Sequence, residues 1–202
     1  MYLKGNTTTT LPLLLAATLS AALLLPGCPN SGDGRNSADQ AQERNTTMEW
    51  KITSTAFKDG ERIPDRFTCK GPDVSPELTW TTPPAGAKEL VLIMDDPDAP
   101  IGTWTHWIIY NLPPETTGLP ENVAKDTSLP SQSGARQGVT DFRRTGYGGP
   151  CPPPGKPHRY FFKLYALDKK LDLKPGASLG ETSSALKGHI LAETRLMGTF
   201  SR

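Results

Sequence analysis

The sequence carries almost no net charge. It has 22 lysine and arginine residues against 21 aspartate and glutamate residues, for a formal net charge of +1 at pH 7. A strongly basic chain attracts nucleic acid or an anionic membrane through its overall field, and this chain has no such field. We therefore expect no nucleic-acid partner, and any anion must be recognised by a local group of residues.

Histidine and cysteine are scarce, with three of each, and two common catalytic motifs are missing. The sequence contains no His-Glu-x-x-His, the zinc-binding motif of many metalloproteases, and no P-loop, which holds nucleotide phosphates. The cysteines form no close Cys-x-x-Cys pair of the kind that binds zinc. We accordingly predict no metal site, no cofactor and no catalytic residues.

Long apolar runs are missing as well. The Leu/Ala-rich run Leu11–Leu25 is shorter than the ~20 residues of a membrane-spanning helix. It follows the basic Lys4 and suits the apolar region of a secretory signal peptide. We therefore predict that residues 1–27 are a signal peptide and that the protein is exported.

The end of this run resembles a bacterial lipobox. Leu25-Pro26-Gly27-Cys28 places a small residue just before the cysteine that would carry the lipid. The pattern predicts a lipoprotein of the cell envelope, held by lipidated Cys28 at a periplasm-facing or extracytoplasmic membrane surface. The alternative is an ordinary secretory signal or an uncleaved anchor in which Cys28 is incidental. Pro26 is not the commonest residue at its position.

Residues 28–48 are poor in apolar side chains and rich in Asn, Ser, Gly, Asp, Gln and Thr. Such a segment cannot bury enough apolar surface to offset the chain entropy lost on folding, so we predict a flexible tether. Residues 49–202 then form one folded domain, which is large enough to bury roughly two thirds of its surface.

Turn-forming residues divide this domain into short segments, since the chain has 19 glycines and 20 prolines. Apolar and aromatic runs predict strands at 50–57, 90–94, 104–110, 159–167 and 190–200. The regions 58–77 and 111–157 are predicted to be long loops. One helix is predicted at Leu179–His189, with Ser178 as its N-cap and Glu181 three residues later. The pattern predicts a mostly β protein: a two-sheet antiparallel β-sandwich with long loops and a C-terminal helix.

Two stretches of the sequence concentrate the residues that can do chemistry. The first, 94–107, contains Asp96 and His106, and the second, 147–160, contains His158. In each stretch, a turn-forming segment stiffened by prolines brings a histidine to the start of an aromatic-rich strand. Sites are commonly built at such loop-to-strand junctions. The residues alone leave two alternatives open: the two histidines share one preformed pocket, or each is a satisfied core residue.

The same stretches resemble the two signature regions of the phosphatidylethanolamine-binding protein family, and its bacterial Raf-kinase-inhibitor-like branch in particular. The resemblance is carried by Asp-Pro-Asp-Ala-Pro at 96–100, His-Trp at 106–107, Gly-Pro-Cys-Pro-Pro at 149–153 and His-Arg-Tyr at 158–160. It extends from about residue 50 to the end of the sequence. One departure is Thr140–Arg144, where the family has an Asn-Asp-Phe-Gly-like string. The resemblance implies the β-sandwich fold of that family.

The resemblance also implies which residues form a ligand pocket. They are Asp96, Trp104, His106, Gly149, His158 and Tyr160, all of which are present in this sequence. Charged imidazoles, a phenol and a backbone N–H of the Gly148-Gly149 turn are donors that suit phosphate or phosphoethanolamine. Asp96 alone would repel an anion, but a carboxylate bonded to an imidazole orients the ring and favours its charged form. Alternation along the strand predicts that one of Trp104 and Trp107 walls the site while the other enters the core.

Lipidation of Cys28 would leave two cysteines, Cys69 and Cys151. An exported compartment permits a disulfide between them, and an even remainder suits one. The alternative is a pair of buried free thiols.

Two further polar residues are assigned structural roles: Asp98 is predicted to cap its own turn, and His189 to be a satisfied core residue.

The predicted pocket allows more than one function. The first is a binding protein that holds a small anion and, as the resemblance implies, modulates or inhibits a kinase or serine protease partner. The alternative is a metal-dependent or phosphoester hydrolase that uses the two histidines and Asp96, since histidines and carboxylates can also ligate zinc. A third is an envelope scaffold or protease inhibitor acting through its long loops. The first is favoured because no activated nucleophile is evident.

Overall fold

The computed structural model of the protein describes residues 49–202. These residues form nine β-strands, one α-helix and two short 3-10 turns, at Asp65–Phe67 and Pro130–Gln132. The strands are β1 (Ile52–Thr53), β2 (Leu78–Trp80), β3 (Glu89–Asp96), β4 (Trp104–Leu112), β5 (Gly118–Leu119), β6 (Ser128–Leu129), β7 (Ala135–Gln137), β8 (His158–Leu167) and β9 (Ile190–Phe200), and the helix is α1 (Leu179–Leu186). The predicted signal peptide at 1–27, tether at 28–48 and lipidation site Cys28 lie outside the described residues.

The strands build two sheets, and all pairings between them are antiparallel. The small sheet has the order β1-β2-β5, and the large sheet has the order β6-β7-β4-β3-β8-β9. One group of buried apolar residues fills the space between the sheets, and a second packs the other face of the large sheet against α1. The predicted fold class, a mostly β two-sheet antiparallel sandwich with a C-terminal helix, is confirmed.

Strand β3 lies in the middle of the large sheet, and every residue in it is buried. Leu92 and Met94 pack between the sheets, while Val91 and Ile93 pack on the opposite face with Leu186 of α1. Burying each such side chain contributes about 1.5–3 kcal/mol. Because both faces are covered, the strand needs apolar residues at successive positions and shows a continuous apolar run. The sequence predicted this strand at 90–94.

The position of β3 decides where its neighbours meet. It pairs antiparallel with β4 on one side and with β8 on the other. The C-terminal end of β3 therefore lies beside the N-terminal ends of both neighbours. The Cα partners at this end are Asp96 with Trp104, and Asp95 with Phe161. The two stretches that carry the histidines thus arrive at one end of the large sheet.

An extra residue in β4 changes which of its side chains face the small sheet. Met94 pairs with Trp107 but Asp95 pairs with Thr105, so β4 has one residue more than β3 at this point. This β-bulge turns His106 toward the same side as Trp107, although neighbours on a regular strand point to opposite faces. Trp107 enters the core between the sheets. The bulge, which plain alternation does not predict, therefore places both residues on the inner side.

The first strand is shorter than the sequence predicted. A strand was expected over 50–57, and the structure has only Ile52–Thr53. The Ser54 hydroxyl donates to the Glu77 carbonyl oxygen at 2.6 Å and accepts from the Ala56 N–H at 3.1 Å. Such local bonds from a side chain compete with a regular ladder, so the strand ends there.

The region 111–157, predicted to be a long loop, contains three short strands. They are β5, β6 and β7, and each has only two or three residues. A strand that short cannot show the alternation by which strands are recognised in a sequence. The prediction of loop was therefore wrong at these positions and right for the rest of the region.

Helix α1 begins where predicted and ends earlier. The Ser178 hydroxyl accepts from the Glu181 N–H at 3.3 Å, and the Glu181 carboxylate accepts from the Ser178 N–H at 2.8 Å, which is a capping box. The helix ends at Leu186 and not at His189, because Gly188 adopts a φ of 77°, the left-handed conformation that terminates helices. No helix in this described part of the chain has the length and apolarity to span a membrane.

Replacing Ser178 with alanine is expected to lower the free energy of unfolding by about 1 kcal/mol, because the capping bond is lost. The melting temperature should fall by roughly 2–4 °C in a domain of this size. Ser184→Ala is the matched control, since Ser184 is exposed in the middle of α1 and alanine favours a helix there. Equal losses of stability in the two variants, measured by thermal or urea unfolding, would contradict this role of the cap.

Candidate functional site

A cavity of about 290 Å³ opens where β3, β4 and β8 meet. The strands supply its floor, and the loops that join them supply its rim. Its lining residues are Asp96, Ala99, Pro100, Ile101, Trp104, His106, Phe142, Cys151, Pro152, Pro153, His158 and Tyr160. Five of the six residues predicted for the ligand pocket are in this set: Asp96, Trp104, His106, His158 and Tyr160.

His158 is the first residue of β8 and is held by a carboxylate. Its Nδ1 lies 2.8 Å from Oδ2 of Asp96, the last residue of β3. The other carboxylate oxygen of Asp96 accepts the Asp98 N–H at 2.8 Å, so Asp96 is itself fixed in place. With Nδ1 engaged by the carboxylate, Nε2 is the nitrogen of His158 that remains for a ligand.

His106 is held at the same ring atom by a backbone carbonyl group. Its Nδ1 donates to the Gly148 oxygen at 2.6 Å, and the Gly148 N–H donates to the His106 carbonyl oxygen at 3.0 Å. A carbonyl oxygen can only accept, so Nδ1 carries the hydrogen. Burial lowers the pKa of His106, and the bond to Gly148 and the charge of Asp96 partly oppose that shift. The ring is therefore neutral near pH 7, and Nε2 is then an acceptor.

Tyr160 brings a hydroxyl group that lacks a partner. The residue is fully buried, and its ring meets the His106 ring edge to face with centroids 5.2 Å apart. Within residues 49–202 no acceptor meets the geometry of a hydrogen bond with its hydroxyl, although the carboxylate of Asp96 lies close by. Burial and the negative charge of Asp96 raise the pKa of Tyr160, so the hydroxyl keeps its proton. Leaving a buried hydroxyl unpaired costs about 1–3 kcal/mol, a cost that an acceptor oxygen of a ligand would remove.

Aromatic and apolar groups form the rest of the wall. The rings of Trp104 and Phe142 pack edge to face with centroids 5.5 Å apart, and Phe142 also packs against His106 at 5.2 Å. Ile101 stands at the rim with 81 % of its surface exposed. Trp107 points away from the cavity, and its Nε1 donates to Gln137 at 2.6 Å. One tryptophan thus walls the cavity and the other belongs to the core.

The sequence reasoning missed Phe142 and the apolar rim. Phe142 lies in the stretch Thr140–Arg144, which was noted only as a departure from the family pattern, and nothing in the sequence shows that this loop folds over β4. The rim residues Pro152 and Pro153 belong to the Gly-Pro-Cys-Pro-Pro motif at 149–153, on which the family resemblance partly rests. Their position near the histidines could have been predicted, because they lie only a few residues before His158 in the sequence.

The backbone of Gly149 does not line the cavity, which corrects one expected member of the ligand set. Its N–H already donates to Oδ1 of Asp73 at 2.6 Å, and the N–H of Gly148 donates to His106. Neither N–H of this turn is free to bind a phosphate. What the turn contributes is the Gly148 carbonyl oxygen that holds His106.

Asp98 and His189 also differ from their predicted roles. Asp96, not Asp98, accepts the local turn bond, and Asp98 instead holds the guanidinium of Arg159 at 2.9 and 2.7 Å. Arg159 lowers the pKa of Asp98 to about 2. His189 is not in the core: one third of its side chain is exposed, and its Nδ1 lies 2.9 Å from Asp168.

A disulfide joins Cys69 and Cys151, with Cα atoms 5.4 Å apart. The sequence left the bridged and the free-thiol states open, and the bridge is the state found. Cys151 lines the cavity, and the Cys69 N–H donates to the Pro150 oxygen at 3.1 Å. Closing so long a loop stabilises the fold by ~4–5 kcal/mol in the chain-entropy account. The bridge therefore ties the cavity rim to the loop that precedes β2.

Two chemical alternatives can be checked against the geometry. Among residues 49–202, no three His, Cys, Asp or Glu side chains are grouped so that they could hold a metal ion. Residues 176–180 have the Gly-x-Ser-x-Gly spacing of a serine-hydrolase nucleophile, a match that the sequence reasoning passed over. Its serine, Ser178, is the N-cap of α1, and its hydroxyl bonds to Glu181. That serine serves the helix and is not part of the cavity.

Comparison with known proteins agrees with the motifs and the fold. The sequence model described as phosphatidylethanolamine-binding protein matches residues 53–201. The chain belongs to the phosphatidylethanolamine-binding protein family. A UPF0098 protein of Methanothermobacter thermautotrophicus is 54 % identical to this family member over 151 residues, which are 75 % of this chain and 98 % of the relative.

A second relative and a solved structure extend the comparison. The candidate lipoprotein LppC of Mycobacterium tuberculosis is 37 % identical over 200 residues, covering 93 % of this chain and 94 % of the relative. The crystal structure of Escherichia coli YbcL, described as a new member of the mammalian family, superposes with a TM-score of 0.71 at 33 % identity. It covers 76 % of this chain and 99 % of YbcL. Family members of this kind share the fold described above.

Acid is expected to destabilise the ligand-free protein through His106. Its pKa is lowered by burial, so the unfolded chain binds a proton more readily than the folded one, and stability is lost as the pH falls below the unfolded value of about 6.5. The variant His106→Gln should lose less melting temperature between pH 7 and pH 5 than the wild type. His189→Gln removes a partly exposed histidine and serves as the control. Equal pH slopes for the wild type and His106→Gln would contradict the assignment.

Proposed function

We propose that the cavity binds a small anion, either phosphate or a phosphate-bearing headgroup such as phosphoethanolamine, and that the protein is a binding protein. The observation that carries the proposal is the way in which both histidines are held. His106 and His158 are each fixed at Nδ1 by an acceptor, so each has its Nε2 left for the cavity that they share. Tyr160, whose buried hydroxyl has no hydrogen-bond partner among the described residues, lines the same cavity. The Tyr160 hydroxyl and protonated imidazoles are donors that suit the oxygen atoms of a phosphate group.

Binding of an anion is coupled to a proton in this arrangement. Nε2 of the neutral His106 is an acceptor, and so are the oxygen atoms of phosphate. The two can form a hydrogen bond only if either the imidazole or the phosphate carries an additional proton. A bound anion stabilises the imidazolium and raises the pKa of His106, so the complex holds more protons than the free protein. Affinity for phosphate should therefore increase as the pH falls from neutrality.

The size and lining of the cavity limit the ligand. Its volume of about 290 Å³ is at the lower end of the ~300–1,000 Å³ range of ligand pockets. A headgroup with a compact substituent fits such a space, and the aromatic wall of Trp104 and Phe142 suits the apolar part of that substituent. A whole lipid chain does not fit inside and would have to leave through the rim at Ile101.

A hydrolase is the second candidate, and the described cavity supports it less. Its lining includes no serine or threonine hydroxyl, and its one cysteine, Cys151, is in the disulfide with Cys69. The carboxylate of Asp96 is bonded to His158 and to the Asp98 N–H. Serine and threonine are therefore missing from the described lining, and its cysteine and its carboxylate are engaged, whereas the imidazole Nε2 atoms that would hold a phosphate group are available.

The proposal includes a place in the cell envelope. The lipobox-like Leu25-Pro26-Gly27-Cys28 and the likeness to the candidate lipoprotein LppC support a lipid anchor at Cys28. The kinase- or protease-modulating role implied by the resemblance would act at the cavity mouth, where Ile101 is exposed. A partner bound there would compete with the small anion for access to the cavity.

Titration with inorganic phosphate or phosphoethanolamine is expected to give a saturable change in tryptophan fluorescence, which Trp104→Phe should remove. Affinity should rise between pH 7.5 and pH 5.5. His158→Ala removes one charge-assisted bond and should weaken binding by about tenfold or more. His189→Ala, the matched control, should bind as the wild type does.

Two results of that titration would count against the proposal. One is a flat response of the wild type at all pH values, and the other is an unchanged affinity in His158→Ala. Steady release of p-nitrophenol from p-nitrophenyl phosphate, lost in His158→Ala, would favour the hydrolase instead.

The anchor is tested by expressing the full chain in a bacterial host and separating membrane from soluble fractions. The wild type should partition into the membrane and into a detergent phase, and Cys28→Ser should move it to the soluble fraction, because the lipid is attached to that sulfur. Ser31→Ala, close by in the sequence, should not change the partition. Membrane association that survives Cys28→Ser would favour an uncleaved anchor.

A further inference from the structure

Asp73 stands behind the cavity wall and does not line the cavity. It lies in the loop before β2, with 27 % of its side chain exposed and a φ of 57°. Its Oδ1 accepts the Gly149 N–H at 2.6 Å. Its Oδ2 faces the cationic groups of Lys125 at 3.3 Å and Arg144 at 3.5 Å. The carboxylate is thus held on one side by surface cations and on the other by the turn that contacts His106.

The N–H that Asp73 binds and the carbonyl that His106 binds belong to the same peptide group. Gly148 contributes the oxygen and Gly149 the nitrogen of the bond that joins them. A trans peptide group is planar, so its C=O and N–H point in opposite directions. One end receives the Nδ1–H of His106 at 2.6 Å and the other end donates to Asp73 at 2.6 Å. A continuous chain of hydrogen bonds therefore runs from a carboxylate to an imidazole.

This series of hydrogen bonds strengthens the bond that holds His106. Hydrogen bonds in series polarise one another, so an anion at the N–H end makes the carbonyl oxygen at the other end a better acceptor. The negative charge of Asp73 also raises the pKa of His106, against the larger lowering caused by burial. Both effects strengthen the hold on the Nδ1 hydrogen and keep Nε2 turned to the cavity.

Close packing around the turn makes the arrangement rigid. A Cβ atom on Gly149 would lie 2.4 Å from the Phe67 oxygen and 2.5 Å from Oδ1 of Asp73. A Cβ atom on Gly148 would lie 2.5 Å from the ring of Phe142. Only glycine fits at both positions, so the peptide group is enclosed by Asp73 on one side and by the cavity wall on the other.

We propose that Asp73 is a positioning residue for His106, acting through the Gly148–Gly149 peptide group to fix which ring nitrogen carries the hydrogen and where the other nitrogen points. The two histidines are then held in parallel ways. Asp96 binds Nδ1 of His158 directly, and Asp73 binds Nδ1 of His106 through one peptide group. The inference deepens the proposed function, since it assigns the control of one of the two donors in that cavity.

Several other charged or titratable groups line the cavity with His106 or affect its pKa, and all of them are unchanged when Asp73 is replaced. They are Asp95 and Asp96 on β3 and His158 and Tyr160 on β8. Asp73→Asn keeps the size of the side chain and suits the left-handed backbone at this position. The substitution therefore removes one charge and weakens one hydrogen bond without changing the shape of the cavity.

The test is a histidine ¹⁵N and ¹H NMR titration of the ligand-free protein. In Asp73→Asn, the titration midpoint of His106 should move to lower pH, and the Nδ1–H resonance should move upfield because its hydrogen bond is weaker. Glu121→Gln is the matched control: Glu121 is another surface carboxylate, paired with Arg66 and unconnected to the turn. It should leave both signals of His106 unchanged. Unchanged signals in a folded Asp73→Asn would overturn the proposal and leave Asp73 a structural residue only.

If Asp73→Asn does not fold, a second variant tests the same role of Asp73. The double variant Lys125→Gln, Arg144→Gln keeps the carboxylate but removes the two cations that face it. The midpoint of His106 should then move to higher pH, and a midpoint that stays at the wild-type value would overturn the proposal.

Phosphate binding is measured separately on the same variants. Asp73→Asn should bind phosphate about fivefold less tightly at pH 6, because His106 is held less firmly and protonated less readily, a loss comparable to one weakened hydrogen bond. If the His106 signals move as predicted while no variant and no wild type binds phosphate, the positioning role holds and the proposed function fails. If phosphate binds but the signals do not move, the function holds and the role of Asp73 fails.

Discussion

The site depends on β3 having an antiparallel neighbour on each side. A strand in that position brings the start of both neighbours to its own end, whatever loops join them. Asp96 is therefore beside Trp104 and close to His158, although the two neighbouring strands are far apart in the sequence. The apolar residues that cover both faces of β3 hold these ends in register. The loops above the sheet are then fixed by local ties, including the disulfide between Cys69 and Cys151.

Within that frame, the two imidazoles are fixed by different means at the same ring atom. His158 is the first residue of its strand and reaches a carboxylate directly. His106 is turned inward by the β-bulge and reaches a backbone carbonyl. Fixing Nδ1 in both rings settles the tautomer and the direction of Nε2 without any ligand. A binding site that is rigid in this sense loses little entropy when a ligand arrives.

The sequence predicted the parts of this arrangement that depend on local pattern. The long strands, the capping box at Ser178 and the convergence of two proline-rich stretches each have a signal that a single segment carries. The β-bulge has no such signal in a single segment, because it depends on the register between β3 and β4. The same is true of Asp73, whose bond to Gly149 joins residues 76 positions apart. Short strands such as β5 were missed because two residues cannot show a period, and the assignment of Gly149 failed because the partner of its N–H could not be seen.

The distribution of charge around the cavity decides how an anion could be held there. Two arginines in the loops and strands around the cavity are paired with carboxylates: Arg159 with Asp98, and Arg144 with Asp73. Among the described residues that line the cavity, only His106 and His158 have side chains that can carry positive charge. Burial opposes that proton at His106 and lowers its pKa, while the charges of Asp96 and Asp73 act in the opposite direction. Asp73 does not line the cavity, whereas Asp96 lines it with a carboxylate that is bonded to His158 and to the Asp98 N–H. Under the proposed function, the affinity for an anion would therefore depend on protonation of an imidazole as well as on the fit of the anion in the cavity.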